Sequence, residues 1–161
     1  MFRVMFVLLL SLVAIEASAT TSRFAPNAPK DVPSALDAKK LSELTAAQKP
    51  LIAEARRTYP AVRARYLSGL PKDHIFSVTT ILHDSEGKIE QVFVLVTKIA
   101  DGQIYGRIVS QIILVKGFSN GQDYQLPESE LVDWTISNPD GSEEGNLLGK
   151  NLDDYNARNG T

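Results

Sequence analysis

Two histidines are the residues of this chain best suited to general-base chemistry or metal binding. His74 and His83 stand nine positions apart in a stretch that reads as one β-strand. Nine residues of strand cover about 30 Å and point the two side chains to opposite faces. We therefore expect neither a shared metal nor a proton relay between them. A hydrolase site that pairs His83 with Glu90 or Asp133 stays open as the alternative to a binding site.

Four other residues are candidates for binding a ligand. Asp133 and Trp134, the only tryptophan, can offer a carboxylate acceptor beside an aromatic stacking surface. The same dipeptide also fits a buried tryptophan next to an aspartate that caps a turn. Tyr105 and Arg107 alternate along an earlier strand, so both fall on its mixed polar and apolar face.

Other catalytic patterns do not occur in the sequence. It contains no cysteine, which excludes thiol catalysis, zinc–thiolate sites and disulfides. The one G-x-S-x-G match, Gly117–Gly121, falls where Ser119-Asn120-Gly121 predicts a turn and not the strand-to-helix elbow that a serine nucleophile needs, and the glycines do not form a phosphate or dinucleotide loop. The basic residues lack interleaved aromatic residues, so nucleic acid is not an expected partner. We expect no catalytic residue, no metal and no cofactor.

The elements that must position the candidate residues begin with the apolar stretch 74–115. Turn signals at Ser85-Glu86-Gly87 and at Asp101-Gly102 divide it into three runs, which predicts a three-stranded antiparallel meander. Pairing across a four-residue loop at 84–87 and a two-residue turn collects nine apolar residues on one face: Phe76, Val78, Leu82, Ile89, Phe93, Leu95, Ile99, Ile104 and Ile108. The opposite face mixes polar and apolar residues, Tyr105 and Arg107 among them, and is the natural place for a partner to bind.

Helices and further strands are predicted around this meander. Ser34 is an N-cap for a first helix, and Pro50 and Pro60 each open a new helical segment whose apolar side should pack on the sheet. Short strands are expected at Tyr124–Leu126 and Val132–Ile136, with a helix over Asn146–Arg158. The predicted fold class is α+β: a twisted antiparallel sheet of four or five strands, N-terminal helices packed on one face and a short C-terminal helix.

The N-terminus has the three parts of a secretory signal peptide over residues 1–19: a basic start, an apolar run that is too short to span a bilayer, and an Ala-Ser-Ala cleavage site. The sequence predicts a flexible leader over residues 20–33 and a single domain over residues 34–161. We expect a periplasmic or secreted protein with no membrane attachment after cleavage.

Charge is unevenly distributed along the chain. Residues 20–122 hold 14 Lys and Arg against 9 Asp and Glu, net +5, whereas residues 123–161 hold 2 against 9, net −7. We expect the acidic C-terminal part to fold back on the basic N-terminal part.

Five segments occur in this order between Pro50 and Tyr155: AEARRTYP, EQVFVLV, DGQIYGRI, VDW and GNLLGKNLDDY. Through them the chain resembles the YegJ-like family of bacterial proteins of unknown function. The resemblance implies no activity and carries over no catalytic residue. The chain has Phe93 where the family has tryptophan in its second strand, which weakens an aromatic site there.

Together these features predict an exported, non-enzymatic binding module, of the inhibitor or immunity type for an envelope enzyme. The expected partner is an envelope protein or a small ligand. The alternative is an envelope hydrolase that uses a carboxylate with His83.

Overall fold

The computed structural model describes residues 38–159, and the side chains of residues 43–158. The predicted signal peptide, the leader and the N-cap Ser34 lie outside the described residues. The elements in chain order are α1 (Ala38–Leu67), β1 (Ile75–His83), β2 (Ile89–Ala100), β3 (Gln103–Ile108), β4 (Asp123–Pro127), a 3₁₀ turn (Glu128–Glu130), β5 (Asp133–Ser137), β6 (Glu143–Gly145) and α2 (Leu147–Asn159). The α+β prediction is confirmed.

Helix α1 is continuous over 30 residues and contains both Pro50 and Pro60, so the prediction that each proline opens a separate segment is wrong. Each proline removes one helical hydrogen bond. The helix persists because Ala55, Tyr59 and Val62 bury their side chains in the core, and tertiary packing of such a stripe supplies most of a helix's stability.

The sheet has six strands in the order β4-β3-β2-β1-β5-β6, and neighbouring strands are antiparallel. The strand not predicted is β6, which is only three residues long and contains Glu143 and Glu144. Residues 128–132 connect β4 to β5 past α1, where Arg56 Nε donates to the carbonyl oxygen of Leu131 at 2.9 Å.

Helix α1 packs on one face of the sheet, which we call the core face; the other is the second face. The buried sheet residues that form the core with α1 are Phe76, Val78, Leu82, Val92, Val94, Val96, Ile99, Ile104, Ile108, Leu126, Trp134 and Ile136. Among the described residues, none from the second face belongs to this hydrophobic core. Helix α2 contacts α1 and β5.

The register between β1 and β2 differs by one residue from the prediction. Val78 lies opposite Val94 instead of Phe93, because the loop includes Lys88 as a fifth residue. The Asp84 carboxylate accepts the backbone N–H groups of Glu86 and Lys88 and so fixes this longer turn. Side chains alternate along a strand, and the shift therefore moves Ile89, Phe93 and Leu95 to the second face and Val92, Val94 and Val96 to the core.

The second hairpin is partly as predicted. Ile99 lies opposite Ile104, but the register shifts between Val96 and Lys98, so that Leu95 lies opposite Arg107 and not Ile108. Strand β3 then ends at Ile108, and residues 109–122 are a loop, although the sequence predicts strand as far as Val115.

Ion pairs join the basic and acidic parts of the chain, as the charge distribution predicted. Arg63 Nε lies 2.8 Å from Glu128 Oε2, and Arg65 Nη1 lies 2.7 Å from Glu144 Oε2. Both arginines are on α1, and they hold its C-terminal half beside β6 and the segment that follows β4.

Within residues 38–159, neither helix has the length and apolar character that crossing a membrane requires.

Candidate binding site

Asp133 is a buried structural carboxylate, with 0 % of its surface exposed. Its Oδ1 accepts the backbone N–H of Trp134 at 2.8 Å, and its Oδ2 accepts that of Leu148 at 2.8 Å. Burial raises the pKa of the Asp133 carboxyl, although the N–H groups of Leu148 and Trp134 act in the opposite direction. Asp133 thus caps the first turn of α2 and ties it to β5, in line with the capping interpretation of the sequence.

Trp134 lies on the core face, opposite Val78, and is 8 % exposed. Its indole N–H donates to Thr58 Oγ1 on α1 at 2.9 Å. The ring therefore belongs to the interface between helix and sheet, which is the buried alternative that the sequence left open.

Tyr105 and Arg107 both lie on the second face of β3 and are half-buried. Lys98 Nζ is 5.3 Å from the centroid of the Tyr105 ring, within the range of a cation–π contact. Arg107 Nε donates to Asp123 Oδ1 at 2.9 Å. These two candidates are neighbours, but β1 and β2 separate them from β5, a distance of about 14 Å at 4.8 Å per strand. The four predicted residues do not form one site.

The residue pairs that a hydrolase would need are not brought together. His83 lies opposite Ile89, so its side chain and that of Glu90 point to opposite faces of the sheet. Asp133 lies opposite Thr79, four residues from His83, or about 13 Å along β1.

A metal site has no support within residues 43–158, where no group of three histidines and acids lies close enough to hold an ion. His74 Nδ1 lies 3.0 Å from the carbonyl oxygen of Lys72. A shallow, open depression follows the C-terminus of α1 and is lined by residues that include no acid or histidine: Ala64, Arg65, Ser68, Gly69, Leu70 and Pro71.

The loop 109–122 carries a feature that the sequence analysis did not single out: its backbone is bound by Glu90 of β2. Glu90 Oε1 accepts the N–H of Ile113 at 2.9 Å, and Oε2 accepts those of Leu114 at 2.8 Å and Val115 at 3.1 Å. Three consecutive N–H groups around one anion form a backbone nest, which is an anion-binding concavity. Here the anion is a side chain of the same protein.

A second carboxylate holds the next residue of the loop. Asp84 Oδ2 accepts the N–H of Lys116 at 3.1 Å, while Oδ1 accepts those of Glu86 and Lys88. The side chain of Lys116 reaches back to Glu86 in a salt bridge. The β1–β2 loop and β2 therefore fix four consecutive loop residues, 113–116, through their backbone; we call Glu90 and Asp84 the carboxylate clamp.

The clamp presents two aliphatic side chains to solvent. Ile113 is 44 % exposed and Leu114 is 41 % exposed, whereas Val115 beside them is buried in the core. Ile89, the residue before Glu90, is also exposed. We call Ile113 and Leu114 the apolar tip. Neighbouring aliphatic side chains that are exposed can serve as an interaction site when a partner covers them.

The signal for this site in the sequence is the apolar run Ile112–Val115, which is indistinguishable from a strand by composition. What makes it a loop is its contact with Glu90, which lies 24 residues from Leu114 in the chain. Such a long-range contact leaves no local pattern.

No family model, curated protein or solved structure matches this chain. The structure defines an α+β protein that has an antiparallel sheet and a surface loop bound by two carboxylates. The resemblance to the YegJ-like family stays a prediction.

Proposed function

We propose that this chain is an exported, non-enzymatic binding module that binds an envelope protein through the apolar tip of its 109–122 loop. The observation that carries the proposal is that Ile113 and Leu114 are exposed while the backbone that bears them is bound at three successive N–H groups by Glu90. A loop fixed in its binding conformation loses little entropy on association, which favours affinity. Inhibitor and immunity-type proteins fit this description.

A concave surface on the partner would bind the apolar tip better than a flat one. Two neighbouring aliphatic side chains cover far less than the roughly 800 Å² per partner of a standard protein interface. They can still act as a central anchor if they enter a pocket and exclude water, because a few buried residues supply most of the energy of an interface. We therefore propose a partner with an aliphatic pocket, such as the cleft of an enzyme.

Export is proposed from the signal-peptide pattern of residues 1–19. Tyr105 and Arg107 on the second face extend the proposal to a small ligand or a second contact with the partner.

The test compares capture of envelope proteins by three tagged forms of the chain beginning at Thr20. They are the wild type, the double variant Ile113→Asp/Leu114→Asp, and Leu67→Asp. Leu67 is a matched control because it is an aliphatic residue, 51 % exposed, that lies outside the loop at the C-terminal end of α1. We expect the wild type and Leu67→Asp to retain one envelope protein that the double variant loses. Equal retention by all three forms, or none by the wild type, would refute the proposal.

A further inference from the structure

The loop that carries the apolar tip depends on two acidic side chains for its shape. Glu90 and Asp84 together accept the N–H groups of four consecutive residues, 113–116. These bonds join the loop to the β1–β2 hairpin across 23 to 32 positions of sequence.

The bonds are strongest when the carboxylates are ionised. An ionised carboxylate only accepts hydrogen bonds, and bonds to a charged acceptor are about twice as strong as neutral ones. Glu90 Oε2 accepts two N–H groups and Oε1 a third. A proton on either oxygen removes the negative charge and weakens that oxygen as an acceptor, so the bonds that hold the nest become weaker.

Two lysines and a third acid lie beside the clamp. Lys116 Nζ and Lys88 Nζ both pair with Glu86, at the side of the clamp that Asp84 forms. Partial desolvation raises the pKa of the Asp84 carboxyl, but the N–H groups of Lys88, Lys116 and Glu86 outweigh this and lower its pKa overall. Asp84 therefore keeps its charge further into acid than an ordinary aspartate.

We propose that Glu90 and Asp84 form an acid-sensitive clamp, which fixes residues 113–116 when both side chains are ionised and releases them when they are protonated. In consequence, binding through the apolar tip is switched off in acid. This consequence rests on the proposed function, whereas the release of the loop does not.

Amide hydrogen exchange of residues 113–116 tests the release without knowledge of the partner. Glu90→Gln keeps the size of the side chain but replaces an acceptor oxygen with an NH₂ donor. Loss of a hydrogen bond to a charged group corresponds to about a tenfold change or more in an equilibrium. At pH 7 we therefore expect exchange of these amides to be about tenfold or more faster in Glu90→Gln than in the wild type.

Glu86→Gln is the matched control, because the Glu86 carboxylate pairs with the ammonium groups of Lys88 and Lys116 while Glu90 and Asp84 keep the loop N–H groups. We expect exchange of residues 113–116 in this variant to remain within twofold of the wild type. Equal acceleration in both glutamine variants would overturn the proposal.

Acidification of the wild type gives a second measurement that needs no variant. After correction for the intrinsic exchange rate, protection of residues 113–116 should fall on acidification while the sheet is still folded. The N–H of Val132, which donates to the carbonyl oxygen of Thr79 inside the sheet, should stay protected. Retention of loop protection until Val132 is also exposed would mean that only global unfolding opens the loop, and the clamp would not be a switch.

Failure of the clamp and failure of the proposed function give different results. If the loop is released in acid but Ile113→Asp/Leu114→Asp still captures the same protein, the switch stands and the binding surface is wrong. If the double variant loses capture but Glu90→Gln changes neither exchange nor capture, the surface stands and the clamp is wrong.

Discussion

The indole nitrogen of Trp134 lies 2.9 Å from Thr58 Oγ1, and this hydrogen bond links the fifth strand to the long N-terminal helix. Thr58 Oγ1 in turn lies 3.0 Å from the carbonyl oxygen of Glu54 in its own helix. The threonine hydroxyl therefore accepts from the indole and donates to the backbone. The only tryptophan of the chain is held in the core by this relay.

Thr58→Val should destabilise the protein by about 1–2 kcal/mol, because it leaves a buried indole N–H without its acceptor. Thr58→Ser keeps the hydroxyl and should cost clearly less. Urea unfolding followed by tryptophan fluorescence measures both. Equal losses of stability in Thr58→Val and Thr58→Ser would show that packing of the threonine methyl group, and not the hydrogen bond, stabilises this contact.

Asp133 should make stability depend on pH in a direction opposite to that of most aspartates. Its folded-state pKa is raised above the ordinary 3.8, so the folded state holds the proton more tightly than the unfolded state does. The stability it contributes is present below pH 3.8 and is lost as the pH rises through the raised pKa.

Asp133→Asn should remove this component, so that above pH 3.8 the unfolding free energy of the variant decreases less with rising pH than that of the wild type. Asp153→Asn, at an exposed position in α2, is the control for the removal of one carboxylate. A wild-type curve that rises with pH together with a flat Asp133→Asn curve would show that the hydrogen bonds to Leu148 and Trp134 outweigh burial.

Two buried threonines of the sheet should respond oppositely to the same substitution. Among the residues that the structure describes, the hydroxyl of Thr135 has no hydrogen-bond partner, whereas that of Thr80 donates to the carbonyl oxygen of Glu130 at 3.3 Å. Thr135→Val should therefore stabilise the protein by about 1 kcal/mol, and Thr80→Val should destabilise it by a similar amount. The midpoints of urea unfolding measure both effects. A loss of stability in Thr135→Val would indicate that water or another group forms a hydrogen bond with the Thr135 hydroxyl.

Gly145 and Gly102 have the same φ of 72° but different surroundings. A Cβ on Gly145 would overlap the carbonyl oxygen and the ring of Trp134, while one on Gly102 would have open space. Gly102→Ala should cost about 1–2 kcal/mol for the left-handed backbone alone. Gly145→Ala should cost a further ~1–3 kcal/mol for the overlap, measured as the difference in unfolding free energy. Similar costs at both positions would mean that β5 and β6 can separate to make room.

Several features of the fold follow from local sequence pattern alone. Alternation of apolar residues predicts the strands of the meander, and Asp101-Gly102 predicts the turn that sets Ile99 opposite Ile104. The apolar stripe of α1 and the helix at the C-terminus follow in the same way from helical spacing. Each of these signals lies within a few residues of the structure that it specifies.

Register, strand ends and the environment of the candidate residues are instead set by tertiary contacts. One additional residue in the Asp84–Lys88 turn moves Phe93 out of the core, because a single-residue shift exchanges the two faces of a strand. Contact with Glu90 turns an apolar run into an exposed loop at Leu114, and contact with Thr58 places Trp134 in the core. The turn is fixed by short-range bonds of Asp84 with Glu86 and Lys88, and its extra residue changes the whole strand that follows. For Leu114 and Trp134 the physical reason is a hydrogen bond between residues far apart in the chain, which outweighs the local preference and which a linear pattern does not contain.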